Sequence, residues 1–146
     1  MNDPIIRKVR VIAEGDGYRS RVINHAGIET NSDEPPALGG AGAGFGPFEL
    51  LAASLAACTV ATLRMYARRK QWPLNEIEVE AIYQRAGEDD LPKEGPDRIT
   101  RTINLGADLS EDQRTRLADI ATRCPVAKVL GKSVSIRDQL ADISDP

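Results

Sequence analysis

A single histidine, two cysteines and no surplus of positive charge bound what this 146-residue chain does. Structural zinc asks for four Cys or His ligands, and His25, Cys58 and Cys124 supply three at most, so no metal is expected. The same shortage argues against a serine- or aspartate-based hydrolase. Such a nucleophile needs a positioned base, and the one histidine falls in the turn-like run Asn24-His25-Ala26-Gly27. Lys and Arg total 19 against 22 Asp and Glu, a net charge of −3, so no basic field attracts nucleic acid or an anionic membrane. The one local basic run, Arg68-Arg69-Lys70, ends a long helical pattern, where cations complement the helix dipole. Uninterrupted apolar runs are missing too. The most apolar window, Phe48 to Ala67, is broken by Glu49 and Arg64 and reads as a core helix rather than a membrane span. The opening MNDPIIRKVRVIAEGD has no apolar stretch of signal-peptide type. The expected compartment is therefore the reducing cytoplasm, where a bridge between two cysteines is transient or redox-sensing rather than structural.

What is present is ordinary globular material. Hydrophobic residues make up 41% and charged residues 28%, enough to build one core, and no linker or repeat divides the chain, so residues 1–146 read as one α+β domain. Residues 5–13 alternate in part and predict a strand; Gly15-Asp16-Gly17 marks a turn, and Tyr18 to Ile23 the returning strand. A polar stretch, Asn31 to Pro36, leads into the glycine run Gly39 to Gly46, which reads as a mobile cover over a helix start. It fits no phosphate-binding pattern, since GxGxxG and GK[ST] are both missing, so no cofactor is expected. Pro47 suits a first helical turn, and a helix of about six turns runs to Lys70, stopped by Pro73. Two alternating strands follow, Glu76 to Arg85 and Arg98 to Leu105. Ser110 with Gln113 forms a capping box for a helix reaching Arg123; CPVAKVL makes a short second helix ended by Gly131, and Lys132 to Arg137 a last strand. Trp72 and Met65 are expected to pack.

The two thiols stand in different settings. On a helix turning ~100° per residue, Leu51, Leu55, Cys58, Thr62 and Met65 share one stripe. There a cysteine is either a small apolar filler or a thiol activated by a group brought from elsewhere, because the dipole acts only within the end turns. Cys124 precedes Pro125 and so falls at a helix N-cap, with Arg123 adjacent and Lys128 one turn on, a setting that favours a thiolate; a plain cap residue is the alternative. A thiolate that attacks a peroxide becomes a sulfenic acid, which condenses with a second thiol to a disulfide. With 65 residues between them, only the fold can bring Cys58 and Cys124 together.

The run Gly46-Pro47-Phe48-Glu49-Leu50-Leu51-Ala52-Ala53-Ser54-Leu55-Ala56-Ala57-Cys58-Thr59 after a glycine-rich loop resembles the signature of the OsmC/Ohr family, the osmotically inducible and organic hydroperoxide resistance proteins. Arg123-Cys124-Pro125-Val126 resembles that family's second cysteine element, and the order of elements is similar along nearly the whole chain. The resemblance implies an OsmC-like fold, with curved antiparallel sheets around central cysteine-bearing helices, assembled as an intertwined homodimer. It implies a thiol-dependent peroxidase acting on organic hydroperoxides, with Cys58 peroxidatic and Cys124 resolving. An external dithiol would restore the thiols; some members use a lipoylated protein. The peroxidase members carry Glu directly after the motif proline, whereas this chain has Phe48 there and Glu49 one place later, closer to the less characterised OsmC-like branch. On a straight helix Glu49 lies ~180° around and ~13 Å from Cys58, so within that helix it serves as an N-terminal carboxylate favoured by the dipole. The activating arginine implied by the family comes from the early hairpin, where Arg19 and Arg21 share a strand face; Arg19 is nearer the turn, and a solvated strand charge is the alternative. Two functions from different classes remain open: a Cys58-based hydroperoxide reductase, and a binder of a small apolar ligand that has lost the peroxidase chemistry. A redox-sensing regulator is a third, and the acidic charge gives it no support through DNA.

Overall fold

The computed structural model describes residues 6–106, 108–132 and 134–141, and the chain is a mixed α+β protein with antiparallel sheets. It falls into two compact units, neither contiguous in sequence: residues 1–54 with 81–101, and residues 55–80 with 102–146. The elements are strands β1 (Val9–Ala13), β2 (Ser20–Asn24) and β3 (Glu29–Ser32), a 3-10 turn at Pro36–Leu38, and helix α1 (Pro47–Lys70). Strands β4 (Ile77–Gln84) and β5 (Arg98–Leu105) follow, then helices α2 (Glu111–Ala121) and α3 (Pro125–Leu130).

In the first unit β1, β2 and β3 form an antiparallel sheet in that order, with Val11 opposite Val22 and Val22 opposite Thr30. The first strand is shorter than expected: Ile5 lies outside the described residues, and Ile6 to Lys8 are not in the strand. β3 was not foreseen, because Glu-Thr-Asn-Ser has no apolar alternation; its place is fixed by the turn before it. There Asn24 Oδ1 accepts hydrogen bonds from the N–H groups of Ala26 and Ile28, and Gly27 takes a left-handed φ of 82°, which reverses the chain tightly.

The glycine run is tied down rather than loose, which corrects the mobile cover read from its composition. Asp33, 3% exposed, accepts the N–H of Glu34 on one carboxylate oxygen and those of Ala41 and Ala43 on the other, at 2.8, 3.2 and 3.0 Å. Backbone pairing adds Asp33 N–H to Phe45 C=O and Phe45 N–H to Asn31 C=O. The glycines permit this close approach. A Cβ on Gly40 would stand 1.9 Å from the Glu34 carbonyl oxygen, and one on Gly44 2.4 Å from that of Asn31. The loop delivers Gly46 to the start of α1, where Glu49 Oε1 accepts the Gly46 N–H at 3.2 Å, the returning half of a capping box. Near it Phe48 stacks on Tyr83 with ring centroids 4.4 Å apart, the Arg85 guanidinium lies 5.4 Å over the Phe48 ring, and Tyr83 donates to Asp97.

The second unit holds the main core. Leu63, Tyr66 and Ala67 of α1 cluster with Leu74, with Leu109, and with Leu117, Ile120 and Ala121 of α2; Trp72, Ile77, Ile103 and Leu105 pack on the rim. Helix α2 begins with the full capping box Ser110–Gln113. Helix α1 ends in a Schellman motif before Pro73 is reached: Gln71 is left-handed (φ 57°), its N–H bonds Arg68 C=O, and Trp72 N–H bonds Ala67 C=O. By length and composition α1 could cross a membrane. Its buried positions, Ala52, Leu55, Thr59, Leu63, Tyr66 and Ala67, instead follow the stripe of a helix packed on one face. That stripe lies about one position from the one the sequence suggested. Met65 is therefore 65% exposed rather than packed, while Trp72 sits edge-on to Tyr66 at 5.5 Å. The expected last strand, Lys132 to Arg137, is not formed. Residue 133 lies outside the described residues, and 134–141 have no regular structure, leaving Val134 and Ile136 61% and 84% exposed with no strand paired to them among the described residues.

Candidate active site: a thiol pair at the rim of a core

Helical register sets the first thiol. Thr59 falls on the buried stripe of α1 and is fully buried; Cys58, ~100° away, sits half-buried where the stripe meets the surface. The second thiol is set by a chain reversal. Helix α2 ends at Ala121, with Arg123 N–H bonding Ile120 C=O and Cys124 N–H bonding Ala121 C=O, and Pro125 then fixes the first turn of α3. Cys124 is the N-cap residue of that turn and is 0% exposed. Both thiols are free, belong to the second unit, and interact directly with one another.

Burial pushes the Cys58 thiol above its ordinary value, and the neighbouring Cys124 sulfur adds to this against the Val126 N–H and the Thr62 hydroxyl. Burial opposes the Cys124 thiolate as well. That thiol is nevertheless held below the ordinary value by the Cys58 S–H, the Ala127 N–H, the Thr59 hydroxyl and the Val126 N–H. The sulfur makes no full capping hydrogen bond, so the N–H groups act on it as nearby dipoles. Thr59 has one hydroxyl proton, donated to Leu55 C=O at 2.8 Å, and its oxygen also lies within reach of the Cys124 sulfur. It can accept from a Cys124 thiol or turn to donate to a thiolate.

None of the main influences on either thiol is a charged side chain. Arg123, adjacent in sequence, turns to Asp119 at 2.9 Å instead, which is why the cation expected to favour a Cys124 thiolate does not supply that effect. Thr59 escaped sequence reasoning, although its position one residue past Cys58 on the inward side of the helix was a usable signal. The other candidate residues belong to the first unit. Arg19 pairs with Glu14 at 3.7 Å, Arg21 with Glu29 at 2.8 Å and more distantly with Glu14, and Glu49 caps α1. No group of three or more His, Cys, Asp and Glu side chains suited to a metal occurs among the described residues.

A free thiol pair, one in the middle of a long helix and one at the start of a short one, agrees with what sequence comparison finds. Residues 39–137 match the model of the family described as OsmC-like protein. The chain belongs to the OsmC-like family. Solved structures agree in fold. An OsmC-like protein from Mycoplasma pneumoniae superposes with a TM-score of 0.71 at 23% identity, covering 87% of this chain and 88% of its own. An organic hydroperoxide resistance protein OsmC from Legionella pneumophila gives 0.62 at 18%, covering 87% and 90%. The organic hydroperoxide resistance protein OhrB of Bacillus subtilis gives 0.57 at 24%, covering 85% and 89%. No curated protein matches the sequence. Within this OsmC-like chain, the thiol pair is the site with chemistry to offer.

Proposed function

We propose that this OsmC-like protein is a thiol-dependent peroxidase that reduces organic hydroperoxides in the cytoplasm. The observation that carries the reading is the direct interaction of Cys58 with Cys124, one thiol reachable from solvent and the other buried behind it. Cys58 attacks the distal oxygen of the hydroperoxide, giving a sulfenic acid and an alcohol. Cys124 displaces hydroxide to close the disulfide, and an external dithiol, a lipoylated protein being the candidate donor, restores both thiols. The family context supports the substrate class, since solved relatives in fold include organic hydroperoxide resistance proteins. Of the two hairpin guanidiniums, Arg19 is our choice to serve a thiolate: its contact with Glu14 is loose at 3.7 Å, whereas Glu29 holds Arg21 at 2.8 Å. A homodimer is part of the proposal. Val9, Val11 and Phe45 in the first unit, and Met65, Val134 and Ile136 in the second, are each at least half exposed and are the apolar side chains a second subunit would cover. Alkyl or lipid hydroperoxides, rather than hydrogen peroxide, are the substrates we assign to it.

Titration with cumene hydroperoxide and thiol counting tests the reading. Two thiols per chain should disappear within seconds with formation of a Cys58–Cys124 bond; Cys58→Ser should abolish turnover, and Cys124→Ser should stop at the sulfenic acid. One observation favours the second reading, a binder of a small apolar ligand: Phe48 follows the motif proline and is stacked on Tyr83. Slow, unselective oxidation of both thiols would decide for it.

A further inference from the structure

One face of the first sheet carries its charge unevenly. Residues opposite one another in paired strands share a face, so Arg10, Ile23 and Glu29 lie side by side across β1, β2 and β3, with Ile12, Arg21 and Asn31 two residues along. Toward the β1–β2 hairpin the cations are matched by acids: Arg19 and Arg21 pair with Glu14, and Arg21 with Glu29 at 2.8 Å. At the opposite end a cavity of about 320 Å³ is lined by Lys8, Arg10, Ile23, Asn24, His25 and Gly27. No acid lines it, and among the described residues neither Lys8 nor Arg10 makes an ion pair.

The polar side chains around this cavity are a set of donors. Lys8 and Arg10 have no acceptor atoms at all, and His25 presents a ring N–H in either charge state. Asn24 Oδ1 already accepts the N–H groups of Ala26 and Ile28, which leaves the amide NH2 as the free end of that side chain. Ile23 is buried and gives the cavity an apolar wall. We propose that this cavity binds the phosphate group of a small soluble molecule. A carboxylate is satisfied by one guanidinium through two parallel N–H···O bonds. Here a guanidinium, an ammonium and an imidazole come from three positions on two strands and a turn, which suits several oxygens on one tetrahedral centre carrying up to two charges. The volume lies at the small end of ligand sites, so a phosphate and a short substituent fill it. The chain's net charge of −3 disfavours a membrane or nucleic acid as the source of that phosphate. The cavity belongs wholly to the first unit and both thiols to the second, and phosphate binding requires neither thiol.

His25 is the only histidine, so in tag-free protein its ring protons report on the cavity without ambiguity. Inorganic phosphate and glycerol 3-phosphate, titrated at fixed pH with chloride holding the ionic strength constant, should each move the His25 resonances to saturation. Arg10→Gln and Lys8→Gln should each raise the Kd about 10-fold, the size of one hydrogen bond to a charged group. Arg7→Gln removes the same unit of charge from a residue that does not line the cavity, and under screening it should change the Kd by less than about 2-fold. All three side chains are exposed, so the variants should fold as wild type does, which circular dichroism checks. Equal weakening by all three substitutions would reveal general charge attraction and overturn the proposal. A linear, unsaturable shift would overturn it too, and so would saturation by acetate at the same concentration as phosphate. Capture by vesicles containing phosphatidic acid, lost in Arg10→Gln, would overturn the soluble source.

Discussion

Removing the Asp33 carboxylate is the sharpest test of how the cysteine helix is launched. Asp33→Ala deletes three hydrogen bonds from backbone N–H groups, at 2.8, 3.2 and 3.0 Å. Bonds to a charged acceptor contribute about 1.5–3 kcal/mol each when well buried. Here the carboxylate is buried, but Ala41 and Ala43 are exposed, so water can reach two of the three donors. Taking about 1 kcal/mol per bond gives a loss of about 3 kcal/mol, close to a 10²-fold change in the folded-to-unfolded ratio. Asp33→Asn separates charge from shape. It keeps one acceptor oxygen and turns an NH2 toward the remaining donors, so it should lose at least half as much. Urea unfolding followed by circular dichroism, with unchanged slope, reads both values. If Asp33→Ala came within 0.5 kcal/mol of wild type, the claim that this carboxylate organises the loop would be refuted.

Two further outcomes follow from the structure. Gly40→Ala places a Cβ 1.9 Å from a backbone oxygen and should prevent folding or leave a protein that unfolds at low urea, whereas Gly17→Ala, with open space around it, should match wild type within about 0.5 kcal/mol; equal urea midpoints would disprove the contact. The thiols also predict a pH dependence, since an unfolded cysteine titrates near ~8.5. Cys124, lowered in the fold, adds stability as pH rises toward that value, and Cys58, raised, removes stability above it; the urea midpoint of wild type relative to Cys124→Ala should therefore climb from pH 6 to 8.5, and a flat difference refutes the lowered Cys124 acidity.

Much of the fold was legible because local signals and tertiary packing agree. Ser110 and Gln113 form the capping box their spacing announces, and β5 matches its alternation residue for residue. Where the readings diverge, the cause is packing that sequence does not carry. β3 is polar and exists because Asn24 turns the chain back onto β2. Lys132 to Arg137 alternates like a strand, yet a strand needs a neighbour, and among the described residues none is there. The glycine run looked loose by composition, since its restraint comes from one aspartate eight and ten residues away from the N–H groups it holds. At the thiol site, both cysteines and the N-cap position of Cys124 were readable. That Arg123 would choose Asp119 was not, because two competing partners one turn apart give no sequence signal.

Register makes Cys58 the outer thiol. The buried stripe of α1 runs through Leu55, Thr59 and Leu63, so a sulfur at 59 would be sealed in the core, where Thr59 is 0% exposed. At 57, where Ala57 is exposed, it would turn ~100° further from the core and away from Cys124. Position 58 lies between these, at an angle that faces a buried neighbour and still meets the surface. Cys124 is placed by the opposite device, a chain reversal locked by Pro125, which holds its sulfur among N–H groups without exposing it. A mid-helix thiol gains no help from its own helix dipole, so any acidity it shows must come from what packs against it. Here the neighbouring groups that favour its thiolate are the Val126 N–H and the Thr62 hydroxyl, while burial and the Cys124 sulfur oppose it and leave the thiol above its ordinary value.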